Sequence, residues 1–212
     1  MKHKIITIDG PAGSGKARIA SYIAKKWKYY HLDSGILYRR LAYLILKNNI
    51  KLSDKKQIEK FLAKTNTISP RNSIKLRTEK ISKAASKIAI YIKIRNYINM
   101  QQKNIIKKEL KNRGCVIDGR DIGSVVFKKA NIKIFVIVNA KIRAKRRYKQ
   151  LIDIGEKSIY AKILEEIKLR DNKDKKRKNS PMRVPYQAHI IDNSESFSNT
   201  IIQINKIIQK NN

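Results

Sequence analysis

Seven residues near the start of the chain, Gly10-Pro11-Ala12-Gly13-Ser14-Gly15-Lys16, carry the spacing G-x-x-x-x-G-K. That spacing suits one task, the holding of a polyphosphate. Glycines let successive backbone N–H groups turn inward around phosphate oxygens. A helix starting where such a loop ends adds its positive end to the same anion. Lys16 then supplies a mobile cation for the outer phosphates. One feature departs from the usual form. A hydroxyl is expected directly after the lysine, where it helps organise Mg²⁺, yet Ala17 and then Arg18 follow here. Arg18 can reach a phosphate but has no acceptor with which to coordinate a cation. The expected triphosphate contact is therefore Gly10, Pro11, Ala12, Gly13, Ser14, Gly15, Lys16, Ala17 and Arg18, with Mg²⁺ use weakened or rearranged and no dedicated metal-ligating residues. Restoring a hydroxyl by Arg18→Thr should raise kcat.

A strand must deliver the chain to this loop and a helix must leave it. Residues 3–8 form a short β-branched run, the pattern of a buried parallel strand. Beyond the loop, Ile19, Ala20, Ile23, Ala24 and Trp27 recur at helical spacing. His31-Leu32 ends a second strand at Asp33-Ser34-Gly35, and Leu37, Leu41, Leu44 and Ile45 resume the helical period. Ser53-Asp54 is positioned to cap a helix running through Leu62. Pro70 and Asn72, between β-like pieces, predict a small hairpin over residues 65–78. Residues 79–110 read as helical with a break near Tyr91, closed by Arg113-Gly114 as a C-cap. Residues 115–117 read as a strand that buries Cys115 and leads into Asp118-Gly119-Arg120-Asp121. Residues 132–138, almost wholly apolar, predict a central strand. Helical patterns cover 140–152, 158–171 and 201–208, with a last short strand at 189–191. Strands alternating with helices predict an α/β fold with a parallel sheet. Residues 36–112 lack core-like strands and read as an insert.

Further motifs narrow what the triphosphate is used for. Ile8-Asp9-Gly10-Pro11, Leu32-Asp33-Ser34-Gly35, Tyr38-Arg39, Ala84-Ala85-Ser86, Arg95, Asp118-Gly119-Arg120-Asp121-Ile122-Gly123, Arg143-Ala144-Lys145-Arg146-Arg147 and Arg170-Asp171 with Asp174 and Arg177 occur in this order. In these pieces, from Ile5 to about Asp192, the chain resembles bacterial cytidylate kinases. The resemblance implies a three-layer P-loop NTPase fold with a central parallel sheet, and a single kinase domain over residues 1–212. Its core would be 1–35 and 113–212, its mononucleotide-binding insert about 36–112 and its lid about 146–160. It implies transfer of the ATP γ-phosphoryl group to CMP or dCMP, with Mg²⁺ accompanying the nucleotide. Ser34, Ser86, Arg95 and Asp121 would read the cytosine, and Tyr38, Arg170 and Asp174 would hold the ribose. Arg39, Arg120 and Arg177 would clamp the CMP phosphate and the moving group, and Lys16, Arg120 and Arg177 would form the catalytic set. One or both of Arg146 and Arg147 would close on ATP. These roles are chemically apt, because forked guanidinium groups suit phosphate and an Asp–Arg mixture suits hydroxyls. Plainer roles exist for some. Ser34 can cap a helix, Tyr38 and Ser86 can be packing residues, and Arg170, Asp174 and Arg177, at i, i+4 and i+7, can form an intrahelical ion pair. The family usually has proline where this chain has Ile92 and Lys128, which bears on local geometry.

Composition excludes several classes. The 212 residues, 42% hydrophobic, suffice for one buried core. One cysteine can form neither an internal disulfide nor a cysteine-pair zinc site. The first residues lack a secretory apolar run, and no stretch reaches the length of a membrane span, so a cytoplasmic monomer is expected. Fifty Lys and Arg against sixteen Asp and Glu give a net charge of +34. The lysines are spread along the chain, which reads as compositional drift onto solvated faces, with nucleic acid bound only non-specifically. Three rivals stand beside the main reading: a kinase of the same fold for another small acceptor, a weakened or non-catalytic homologue, and a basic nucleic-acid-binding P-loop protein.

Overall fold

In a computed structural model describing residues 4–153 and 155–211, five strands form one parallel sheet in the order β2-β3-β1-β4-β5. They are β1 (Ile5–Asp9), β2 (Tyr30–Asp33), β3 (Cys115–Gly119), β4 (Ile132–Ile137) and β5 (His189–Asp192). His3, placed by its sequence at the start of the first strand, lies outside the described residues. The helices are α1 (Lys16–Trp27), α2 (Ser34–Lys47), α3 (Lys55–Lys64), α4 (Glu79–Ile88), α5 (Ile92–Glu109), α6 (Ala140–Asp153), α7 (Tyr160–Lys176) and α8 (Phe197–Lys210). The central strand β1 is buried on both faces, with Ile6, Thr7, Ile8 and Asp9 wholly covered, as a parallel sheet sandwiched by crossover helices requires. Ile19, Ala20 and Ile23 of α1 and Ile204 and Ile208 of α8 share one core with Ile6, Ile8, Val116, Ile134 and Val136. The register pairs Ile8 with Asp118 and Asp9 with Gly119. Two carboxylates therefore arrive together at the carboxyl ends of β1 and β3, the edge where open α/β sheets bind ligands.

The chain divides into two compact units. One contains β1, β3, β4 and β5 and comprises residues 1–31 and 114–212; the other is Leu32–Arg113. The second unit is helical. Leu37, Leu41 and Ile45 of α2 are fully buried, with Leu76, Ile88 and Ile98, and α2 packs on α4 and α5. Asp54 caps α3 by accepting the Gln57 N–H at 2.9 Å, and Thr78 caps α4. Tyr91 takes extended backbone between α4 and α5 and donates its hydroxyl to the Leu52 carbonyl at 3.1 Å.

Three sequence expectations give way to tertiary contacts. No hairpin forms over residues 65–78. The segment is irregular apart from a 3₁₀ turn, Ile74–Leu76. It is pinned by buried Ile68 and Leu76 and by Gln101, whose amide donates to the Asn66 carbonyl at 2.8 Å. The 3₁₀ turn with Leu76 lies against α2 and α4, Gln101 ties the segment to α5, and no alternating face exists to pair as strands. Gly114 is not a helix cap, because α5 is already capped at Leu110. A Cβ on Gly114 would lie 2.5 Å from the Tyr29 ring, so close packing is what demands glycine there. The third correction concerns Arg177. It lies just past the end of α7 in extended backbone, not on a helical face with Arg170 and Asp174.

Candidate active site

The loop between β1 and α1 owes its shape to contacts on both flanks. Gly10 has φ +147, and a Cβ there would sit 2.3 Å from the Val136 carbonyl oxygen. Gly15 has φ +86, and a Cβ there would meet the Asn193 side-chain nitrogen at 2.3 Å. Both positions combine a left-handed backbone with a blocked side-chain direction, so only glycine fits. Asn193, just beyond β5, donates to the Ser14 carbonyl at 2.9 Å and accepts from Thr200 Oγ1 at 2.8 Å. Arg143 of α6 is buried and donates to the Ala12 carbonyl at 2.9 Å and the Val138 carbonyl at 3.1 Å. It also pairs through both terminal nitrogens with Asp171 of α7, at 3.2 and 2.5 Å. The loop is thus braced from α6 and from the β5–α8 connection.

Lys16 is only 5% exposed. Its ammonium donates to the Pro11 carbonyl at 2.6 Å and to Ser14 Oγ at 3.2 Å, curling back into the loop. Burial holds its pKa well below 10.5, and the Arg120 and Arg170 charges push the same way, while Asp118 and Asp9 oppose them. A cation kept from water next to further cations is a strong attractor for an anion. Asp118 also meets His31 Nε2 at 2.7 Å.

Arg120, in the turn after β3, donates through Nε to Asp174 Oδ2 at 2.9 Å and through Nη1 to the Gly10 carbonyl at 3.1 Å. Arg177 reaches Asp121 at 3.3 Å and Asp174 at 3.6 Å. Asp121, Arg177, Asp174 and Arg120 therefore form one chain of charges ending at the loop, and Arg170 stands close enough to Lys16 to influence its ionisation. Asp174 thus keeps a local ion pair with Arg177, three residues on, and adds the bond from Arg120.

In the helical unit, Ser34 is buried as the first residue of α2. Asp33, not Ser34, caps that helix, accepting the Gly35 N–H at 2.9 Å. Arg95 is 1% exposed. Its guanidinium lies 5.8 Å from the centre of the Tyr38 ring and donates to the Ala89 carbonyl at 3.1 Å. Arg39, also on α2, stands 4.0 Å from Asp33, and Ser86 is half-buried on α4. Tyr38 and Arg95 are thus brought together, and Ser86 sits on α4, which packs against α2, the helix of Tyr38.

Three arginines in the expected triphosphate set lie elsewhere than the loop. Arg18 stacks on the Phe197 ring at 3.8 Å. Arg146 donates to the carbonyls of Asn193, Ser194 and Glu195 at 2.9, 3.3 and 3.3 Å, and Arg147 is exposed on α6. The Arg18→Thr exchange would therefore release Phe197 while placing a hydroxyl at the loop. A several-fold gain in kcat remains the expected outcome in an ATP/CMP assay, and no gain would show the missing hydroxyl to be immaterial. Arg143 and Asn193, which do touch the loop, escaped the sequence reading of the site. Arg143 belongs to the motif 143–147, in which nothing local distinguishes one arginine from the next, and Asn193 has no local pattern at all.

Residues 6–212 match the family model described as cytidylate kinase. The chain is 40% identical over 195 residues to the cytidylate kinase of Bartonella tribocorum, covering 92% of this chain and 89% of that protein. It is 37% identical over 221 residues to the cytidylate kinase of Fusobacterium nucleatum subsp. nucleatum, covering 99% of both. Among solved structures, TT1252 from Thermus thermophilus superposes with a TM-score of 0.52 at 15% identity, covering 99% of this chain and 98% of that one. Shikimate kinase from Bacteroides thetaiotaomicron does so with 0.50 at 11% identity, covering 97% and 98%. At those identities the structural likeness speaks to the fold alone.

Proposed function

The chain belongs to the cytidylate kinase family, and from that premise we propose that its phosphate loop holds ATP for direct transfer of the γ-phosphoryl group to CMP or dCMP. The observation that carries the reading is the placement of Arg120. It leaves an acidic turn beside the loop, bonds the loop's own Gly10 carbonyl, and joins Asp174 and Arg177 in one charge network. Cations so arranged can face the charge that spreads over a moving phosphoryl group. Lys16 takes the outer phosphates, exchanging its bond to the Pro11 carbonyl for one to an anion. Arg120 and Arg177 neutralise the transferred group. The acceptor phosphate is already largely ionised near neutral pH, so no general base is needed and no covalent enzyme intermediate forms.

The helical unit Leu32–Arg113 is the acceptor-binding part in this reading. Tyr38 and Arg39 lie one after the other on α2, suited to ribose and phosphate. Ser34, Ser86 and Arg95 of this unit supply donors and acceptors of the kind that a cytosine edge requires. Residues 146–160, around the turn between α6 and α7, are the lid, and closing it excludes water from the transfer. Its turn holds Gly155, which has φ +77 and open space around it.

Magnesium fits as a companion of the triphosphate. Among the described residues no group of three or more His, Cys, Asp or Glu side chains could cage an ion, and neither Ala17 nor Arg18 offers a hydroxyl. Its ligands would be phosphate oxygens and water, and its contribution would be to neutralise charge on the β and γ oxygens. No described helix is long and apolar enough to cross a membrane; the proposal takes the chain as a cytoplasmic monomer acting on free nucleotides.

An acceptor screen tests the function. ADP release from ATP should be fast with CMP and dCMP, and at least about tenfold slower with UMP, AMP and shikimate, since mismatched polar edges leave buried groups unsatisfied. Preference for any of the last three would replace the acceptor assignment, and dependence on none of the five would favour the non-catalytic homologue.

A further inference from the structure

Asp9 is the last residue of the central strand and the residue before the phosphate loop. It is fully buried. Its carboxylate leaves the loop alone and turns to β3's exit, where Oδ1 accepts the Ile122 N–H and Oδ2 the Gly123 N–H, both at 2.7 Å. These two amides open a π-helical turn, Ile122–Val126, directly after the turn that carries Arg120 and Asp121. From the opposite direction, Arg120 donates to the carbonyl of Gly10, the neighbour of Asp9. The turn and the loop are therefore tied twice, by a carboxylate reaching one way and a guanidinium reaching the other. The fit is close, since a Cβ on Gly123 would lie 3.2 Å from Asp9 Oδ2 and 2.6 Å from Thr7 Oγ1.

We propose that Asp9 is a positioning residue for phosphoryl transfer, whose carboxylate holds the Arg120-bearing turn in register with the phosphate loop. This rests on the reading of Lys16 and Arg120 as the transfer machinery. A carboxylate suits the task because it is acceptor-only and can serve two N–H groups at once. Asparagine keeps the shape but turns an NH₂ toward one amide, so one tie becomes a donor–donor clash. The charged groups acting on Asp9 are Asp121 from the turn and Lys16 from α1; Asp118 pairs in register with Ile8, on the other face of the sheet, and Arg120 bonds the neighbouring Gly10 carbonyl. Burial foremost, and then the Asp121 charge, raise its pKa from 3.8 to about 7 against the two amide bonds and Lys16. Its ionised fraction therefore grows from pH 6 to pH 8.

The test is D9N, alone and combined with R120A, in steady-state assays with ATP and CMP. D9N should lower kcat by about 30-fold while KM for ATP moves less than about threefold, since an ångström of misplacement is felt mainly in the transition state. In the R120A background the same change should cost less than about threefold, because the group being positioned is gone. The wild-type to D9N ratio of kcat should rise from pH 6 to pH 8, substrate ionisation cancelling in the ratio. A merely structural carboxylate would lower the yield of folded protein but leave kcat per folded molecule, the pH ratio and additivity with R120A unmoved, and that outcome overturns the proposal. Should D9N fail to fold, D9E carries the test. It keeps the charge and both acceptors but pushes the turn outward by one methylene, so kcat should fall by about tenfold; an unchanged kcat overturns the proposal. Wild-type activity with CMP is read in the same assay, so a failure of the kinase reading is distinguishable from a failure of Asp9.

Discussion

Replacing Lys16 with alanine should lower kcat/KM for ATP and CMP by about 100-fold or more, the cost of removing one preorganised donor from a water-excluded transfer site. The magnitude follows from where the ammonium sits. It is 5% exposed, bonded within the loop to Pro11 and Ser14, and held among Arg120 and Arg170 by a fold that keeps water out. Such a charge acts in a low effective dielectric, where its attraction for the β and γ oxygens is many times its value in water. Wild-type protein should also gain thermal stability on adding ATP, since a ligand that binds only the folded state raises Tm, and the variant should lose most of that gain. Steady-state kinetics and a melting curve with and without ATP check both parts. A loss of activity under threefold removes Lys16 from the site.

Arg120→Ala should cost about as much, 100-fold or more in kcat/KM, for a related reason. Its guanidinium spans two acceptors on different elements, Asp174 of α7 and the Gly10 carbonyl of the loop. Truncation leaves Asp174 to Arg177 alone and unties the loop from the turn. Arg120→Lys separates the two contributions. A lysine keeps the charge but is a single point donor, unable to hold both acceptors in one plane, so it should recover only part of the lost rate. Full recovery in Arg120→Lys would mean that charge alone matters and that the fork has no positioning role.

What the sequence disclosed about this site divides by the range of the interactions involved. The phosphate loop was legible because its chemistry is encoded in seven adjacent residues, with a strand before and a helix after. The parallel sheet was legible because β-branched runs such as 132–138 tolerate no exposed face. The Arg120 turn could be singled out because two acids flank one base. The brace around the loop could not. Arg143 and Asn193 meet it from 131 and 179 residues away in the chain, and no local period records such a meeting. The role of Asp9 is likewise illegible in the sequence, since its partners are backbone amides more than 110 residues distant. The hairpin expected over 65–78 failed for the same reason in reverse, as local turn residues were read as pairing while Gln101 and the buried Leu76 settled the segment differently. Arg18 shows how a charge near a motif can be claimed by a neighbour, here the ring of Phe197.

The most direct measurement follows the phosphorus itself. Enzyme mixed with ATP labelled at the γ-phosphate and with CMP, quenched within one turnover, should show the label only in the remaining ATP and in CDP, with none on the protein and none in inorganic phosphate. Label released only as inorganic phosphate, or trapped on the chain, would contradict direct transfer between two bound nucleotides.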